Sequence, residues 1–300
     1  MRSTLKSILA VLLLVALLPC GGFAAKTPAN VSAAAVARAD LLELQQYLAW
    51  QRINEARSNP MAVLERLDIP VEHARAVLGE DAWILEQGLP PLALNAQLTT
   101  AAGLHGRDMF TRVYYSHVTP EGAGPLERIA ATGYQPLDAD ETLGILFFSG
   151  YVDLKLAVDF MVDTMIRDEL VGTPGVKRNI FSREFTEAGI VFLAETLHLI
   201  EGQPYVYLFV LDFAAPMIPQ RYLIGTYDGT TGMVPIMMPY ATGNWSFQPV
   251  LIPGFFQVPY PDGGFAMVLA DEDLETISAP VFVYEDGSMN NRFVDLRALH

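Results

Sequence analysis

The sequence predicts an α+β fold, with helices packed on an antiparallel sheet, followed by a small all-β module of sandwich type. Three observations carry that expectation. Apolar residues recur at helical spacing through the first half of the 300-residue chain. β-branched and aromatic runs take over from Ala188, and beyond two closely spaced prolines short apolar runs alternate with turn signals.

The first residues read as a leader. Arg2 and Lys6 precede an unbroken apolar run from Ile8 to Leu18, and the small residues Gly22, Ala24 and Ala25 follow. This is the layout of a secretory signal peptide over residues 1–25, and it implies export to the periplasm or beyond. The run falls short of the roughly 20 apolar residues a spanning helix needs, and no later segment reaches that length, so no transmembrane anchor is expected. Cys20 is the single cysteine. It is either discarded with the leader or lipidated as the first residue of a lipoprotein. Pro19, standing where lipoprotein processing needs a small residue, favours the first. Stability would then come from core burial and not from disulfides.

Residues 26–39, rich in Ala with Ser, Thr and Pro, read as a flexible lead-in. Leu41, Leu44 and Leu48 share a helical face, and that helix runs through Ile53 and Arg57 to Asn59-Pro60. Asn59 as N-cap and Pro60 as first helical residue restart a helix carrying Val63, Leu64 and Leu67. A further helix spans Val71 to Leu78 and stops at Gly79. After Pro90-Pro91, an extended stretch leads into a helix whose face carries Leu98, Ala102, His105 and Met109. Val113 to Gly124 is a loop, Leu126 to Ala131 a short helix, and Leu154, Val158, Met161 and Met165 mark another helix.

Ala188–Ala194 and Tyr205–Phe213 read as an antiparallel hairpin around Glu201-Gly202. Ala215 to Pro219, with two prolines, is the expected boundary between a domain over 40–214 and a module over 220–300. Within that module Asp228-Gly229, Gly243-Asn244, Pro253-Gly254, Asp262-Gly263 and Asp286-Gly287 punctuate the strands. The Asp-Gly pairs suit tight turns without calcium, whose regular loop spacing is absent. Asp271-Glu272-Asp273 reads as a solvated loop. The apolar run from Trp245 through Phe247, Phe255 and Phe256 to Tyr260 reads as sandwich core, with a partner-facing or lipid-facing patch as the alternative.

Acids outnumber bases, 34 Asp and Glu against 19 Lys and Arg, for a net charge of −15. Loss of Arg2 and Lys6 with the leader makes the remainder more acidic still. That excludes a nucleic-acid partner, which needs a basic footprint, and the acidity reads as solubility.

Several segments, in order, resemble the CAP superfamily (cysteine-rich secretory proteins, antigen 5 and pathogenesis-related-1) in its bacterial form. They are Ile53-Asn54-Glu55-Ala56-Arg57 with Asn59-Pro60; Leu92 to Asn95 with His105 and Asp108-Met109; Tyr115-Ser116-His117 with Pro120-Glu121-Gly122; Gly133-Tyr134 with Glu141; and Lys177 to Phe181 with Phe185 to Ile190. The likeness covers about residues 40–214 and implies a three-layer α-β-α sandwich. It implies a cavity gathering His105, His117, Glu141, Val176, Asn179 and Glu187, with His117 matching the family's first histidine, Glu141 its first acid and Glu187 its second acid. Where a second histidine is expected stands Val176, which neither ligates a metal nor carries a proton.

Three readings of function follow, the third being a structural component of the envelope. The favoured one is a non-enzymatic, exported binder of an apolar or extended ligand, a lipid or another envelope component, with the β module as an interaction or spacing element. The alternative is a hydrolase using His117 as base and Glu141 as its orienting carboxylate, with or without a divalent metal. Against it stands the reading of His117 as a hydrogen-bonded loop anchor. A metal on His117, Glu141 and His105 is disfavoured, because His105 lies on an apolar helix face and reads as a satisfied core residue. His73, His198 and His300 belong to no motif.

Overall fold

A computed structural model describes residues 33–248, 250–271 and 273–299. The leader 1–25 with Cys20, the side chain of His198, Glu272 of the acidic loop and His300 lie outside the described residues. No helix among the described residues is long and apolar enough to cross a membrane.

The first helix, α1 (Ala33–Ser58), begins inside the stretch expected to be a flexible lead-in. Alanine has the highest helix propensity and needs no apolar face to adopt it, so periodicity is blind to such a start. At its other end Asn59 caps α2 (Pro60–Arg66) by accepting the Ala62 N–H, with Pro60 in the first turn as the sequence implies. Helix α3 (Val71–Leu78) ends at Gly79, whose φ of 59° favours a residue without Cβ, and α4 (Ile84–Gln87) is a single turn. Asn54 then brackets Leu92, donating to its carbonyl and accepting its N–H, while Trp50 donates to the same carbonyl. These bonds hold the extended Pro90-Pro91 segment so that β1 (Ala93–Leu94) reaches the sheet.

Asn95 caps α5 (Ala96–Arg112), and α6 (Pro125–Ala131) follows a loop. Next comes β2 (Pro136–Phe148), a long strand absent from the sequence expectation. Helix α7 (Leu154–Val171) has Asp153 as N-cap and Gly172 in the left-handed conformation as C-cap. The hairpin β3 (Glu187–Ile200) and β4 (Gln203–Pro216) turns at Glu201-Gly202. The sheet order is β1-β3-β4-β2, antiparallel except for the parallel pair β1–β3.

Side-chain alternation along these strands makes three layers. Ile190, Phe192, Phe209, Leu211 and Phe213 face the layer of α1 to α4 and α7. Val191, Val206, Leu208 and Val210 face α5, and Ala214 meets Leu98 and Ile129 beneath α5 and α6. The fold is therefore the expected α-β-α arrangement.

Eight short strands follow among the described residues: β5 (Tyr222–Thr226), β6 (Val234–Pro239), β7 (Ser246–Phe247), β8 (Val250–Ile252), β9 (Phe255–Pro259), β10 (Gly264–Ala270), β11 (Val281–Tyr284) and β12 (Arg292–Asp295). They form two sheets, β11-β10-β6-β7 and β12-β5-β9-β8. Leu223, Phe256 and Val258 from one meet Met237, Phe265, Met267 and Val283 from the other, the core of a sandwich. Trp245 and Phe247, expected in that core, are 49% and 51% exposed, whereas Phe255, Phe256 and Val258 are buried.

The sandwich is not a detached spacer. Phe255 and Ile224 belong to the larger core, with Phe255 between the rings of Tyr47 and Trp50. The Gln257 amide donates to Leu94 O and accepts from Leu94 N, copying a neighbouring strand's backbone at the β1 edge. Asn291 does similar work, donating to Pro91 O and Thr186 O.

Candidate functional site

Two strands, two helices and two loops assemble the site around Glu141. Residue alternation on β2 turns Glu141 toward the α5–α6 layer, on the same face as Leu143 and Ile145. Its side chain is fully buried. Arg128 of α6 places Nη2 2.6 Å from Glu141 Oε2, while its Nη1 donates to the carbonyls of His117 and Ala123. One guanidinium thus ties the sheet to the loop between α5 and α6.

That loop starts at Val113, which closes α5 in the left-handed conformation with φ of 52°. For a β-branched residue this is a strained way to end a helix, and it reverses the chain toward the sheet. Tyr114 donates to Asp108 at 2.5 Å, and Arg112 pairs with both Asp108 and Glu121, so the loop is held at both ends. His117 then reaches Glu141, with Nδ1 2.9 Å from Oε1 and its side chain 54% exposed. A carboxylate oxygen accepts, so Nδ1 donates and Nε2 is the open ring position.

His105 on α5 joins the cluster from beneath. Its Nε2 lies 3.0 Å from Ser116 O and 3.6 Å from Glu141 Oε2. A carbonyl only accepts, so Nε2 carries the proton in the neutral ring. Burial lowers the pKa of His105, opposed by the charge of Glu141 and supported by that of Arg128, so the ring is neutral at pH 7.

Asp212 of β4 is the second acid at this place. It stands opposite Glu141 in the β2–β4 register, fully buried, and neither oxygen has a hydrogen-bond donor among the described residues. Burial first, then Glu141, raise its pKa well above the usual carboxylate range. A protonated Asp212 becomes a donor, and Glu141 accepts its proton as a hydrogen bond.

Asn179 supports Glu141 from the sheet edge by donating to Glu141 O and Thr142 Oγ1. The Asn179 loop is itself fixed by Glu169, whose carboxyl accepts the N–H groups of Asn179, Ile180 and Phe181. In the same loop Lys177 pairs with Asp140, and Val176 is 40% exposed. Glu187 occupies a different cluster, where Oε2 accepts from Asn95 and from Tyr134, and burial raises its pKa. The structure therefore brings together His105, His117, Glu141 and Asn179, leaves Val176 on the outer loop surface and gives Glu187 other partners. His73 Nε2 donates to Val171 O and takes no part.

Sequence reasoning passed over Asp212 and Arg128. The signal for Asp212 was present, a single acid inside the apolar strand from Tyr205 to Phe213. Arg128 is one basic residue on a short helix and gave none.

Beside the cluster, α5, α6 and the loop between them line an open cleft of about 320 Å³, with Ala101, Leu104 and Ala131 as its apolar residues and His105, Asp108, Thr119 and Arg128 as its polar ones. As a metal site the constellation fits poorly. Both Glu141 oxygens are engaged, the Arg128 cation lies 2.6 Å away, and Val176 offers no donor atom. Among the described residues no three His, Cys, Asp or Glu side chains converge in a metal-holding group.

Layers and cluster together define a three-layer α-β-α domain with a buried carboxylate site under an anchored loop. Residues 50–195 match the model of the cysteine-rich secretory protein family, CAP, and this stretch of the chain is a CAP domain. Two solved structures are similar. An outer surface protein from Borrelia burgdorferi is 13% identical, with 57% of this chain and 92% of that one covered and a TM-score of 0.35. An extracellular SCP-domain protein from Bacillus anthracis str. Ames is 17% identical, with 49% of this chain and 41% of that one covered and a TM-score of 0.31. A comparison with curated proteins finds no match.

Proposed function

We propose that this chain is an exported CAP-domain binding protein whose cleft between α5 and α6 takes an apolar or extended ligand, such as a lipid or another envelope component, without turning it over. One observation carries this reading. Glu141, the acid that proton transfer would need, is buried and neutralised by Arg128, with its other oxygen on His117. Such a carboxylate anchors a loop. Ala101, Ala131 and Leu104, which is 57% exposed, suit an apolar ligand, and Asp108 and Arg128 in the lining are paired with Arg112 and Glu141. The leader-like residues 1–25 support export.

The test is titration of the purified chain with extracted envelope lipids. Saturable binding is expected, lost in Leu104→Asp and retained in His117→Ala. Absence of saturable binding would remove this reading.

A hydrolytic reading rests on one feature, the half-exposed His117 ring with Nδ1 held by Glu141, the placement of an oriented general base. It requires turnover in an ester and amide substrate panel that His117→Ala abolishes with an unchanged melting temperature. That result would replace the binding reading.

A further inference from the structure

Strand β2 is the outer strand of the CAP sheet, and its two halves treat their free edge differently. Glu141 O accepts from Asn179, and Glu141 N and Ala139 N are taken by the carboxylates of Asp140 and Asp138. Odd-numbered residues of β2 therefore direct their backbone groups away from β4. Through Glu141 that edge is closed by local side chains. From Leu143 on it is not: the outward N–H and C=O groups of Leu143, Ile145 and Phe147 have no partner among the described residues. The segment Leu143 to Phe148 contains no charge and no proline, the usual devices that blunt an edge.

The flank of this edge is apolar as well. Helix α7 lies over β2, because a Cβ on Gly144 would meet Met161 and Met165, and Arg52 of α1 binds Asp159 and Asp163 on the opposite side of α7. By the helical period Phe160 projects from the solvent side of α7, between the face of Asp159 and Asp163 and the face of Met161 and Met165, while Leu156 lies nearer the Asp159–Asp163 face. Phe160 is 59% and Leu156 62% exposed, and Tyr151, in the connection from β2 to α7, is 68% exposed.

We propose that β2 pairs antiparallel with β2 of a second copy of this chain, across a two-fold axis at Ile145, joining two sheets into one. The uncharged, unpaired half of β2 is its own complement, and charge selects this orientation. All the acids of β2 lie in its first half, at Asp138, Asp140 and Glu141. A two-fold centred on Ile145 sets Leu143 opposite Phe147, pairs the uncharged half with itself, and leaves the two sets of acids at opposite ends. Parallel addition would bring them side by side in a chain that already carries −15. Each outward pair would exchange both of its backbone hydrogen bonds. A stable dimer buries roughly 800 Å² per partner, more than a short edge supplies, so Tyr151 and Phe160 must be covered too.

Sedimentation velocity of the full chain over a wide concentration range tests this. A reversible dimer is expected, weakened by about tenfold or more in Ile145→Pro. That proline removes an outward N–H and no β2–β4 bond, so the monomer should keep its far-ultraviolet spectrum. Phe160→Glu leaves the backbone intact and should also weaken the dimer, which keeps the proposal decidable if the proline variant misfolds. In hydrogen exchange the amides of Leu143, Ile145 and Phe147 should gain protection as concentration rises. A monomer at every concentration overturns the proposal. So does a dimer indifferent to both variants, or protection of those amides that is independent of concentration, which would mean the edge is covered within one chain.

Discussion

At Asp212 the sheet buries a carboxyl with no donor to meet it among the described residues and a carboxylate, Glu141, alongside. Two adjacent buried charges of one sign are costly, so one proton stays in the pair. Because the folded state raises the pKa of Asp212 above its unfolded value, this group contributes stability fully below the unfolded range near pH 4, lost as pH rises toward the folded pKa. Asp212→Asn keeps the shape and donates an N–H to Glu141 but cannot ionise. The variant should therefore gain on the wild type as pH increases above about 4, by up to about 1.4 kcal/mol per pH unit. Melting temperatures of both proteins between acid and alkaline pH would read this, and parallel curves would show that Asp212 is already ionised. The same scale explains what the sequence conceals. His117 and Glu141 are recognisable residue types in recognisable segments, whereas the partners that decide their chemistry, Arg128 and Asp212, come from elements that only tertiary contact brings near.

Helix α5 lies unusually close to the sheet, and Gly189 makes that approach feasible. A Cβ there would sit 2.2 Å from Leu98 C and Thr99 N, backbone atoms that cannot yield, while a Cβ on Gly144 would meet the flexible thioethers of Met161 and Met165. Gly189→Ala should cost about 3 kcal/mol and Gly144→Ala about 1 kcal/mol. Urea midpoints give the order, and equal midpoints would mean that α5 can lift off the sheet freely. Because His105 rides on α5, the first variant should also loosen the His105–Ser116 contact. Most elements were legible in the sequence for local reasons. Helix α3 has its capping glycine, α2 its Asn-Pro start, and the β3–β4 hairpin its aromatic and β-branched runs. Strand β2 was not, because Asp138, Asp140, Glu141 and Gly144 are poor strand formers. Its extended state comes from pairing along β4. Two-residue β1 is too short to have a period.

Across the whole molecule, the CAP domain and the β-sandwich share buried surface, with Phe255 seated against Tyr47 and Trp50 and Gln257 closing the β1 edge. Phe255→Ala should destabilise by about 3–5 kcal/mol. Calorimetry should show one transition in the wild type, since the core is continuous; two well-separated transitions would mean that the parts fold independently. Removing everything after Pro219 would strip the cover from Trp50 and leave the Leu94 backbone groups unpaired, so a truncated chain reports on folding as well as on any role of the sandwich.

The sequence by itself determined most of the helices, the β3–β4 hairpin, the turn positions, the acidity and the segments that mark the CAP domain, all of which depend on near neighbours in the chain. Tertiary structure alone decided that Glu141 faces Asp212 and Arg128, that Glu187 answers to Tyr134 instead, and that the sandwich completes the larger core. Those outcomes depend on strand register and layer packing, which bring together side chains far apart in the chain. No local pattern of residues encodes which distant group a buried carboxylate will meet.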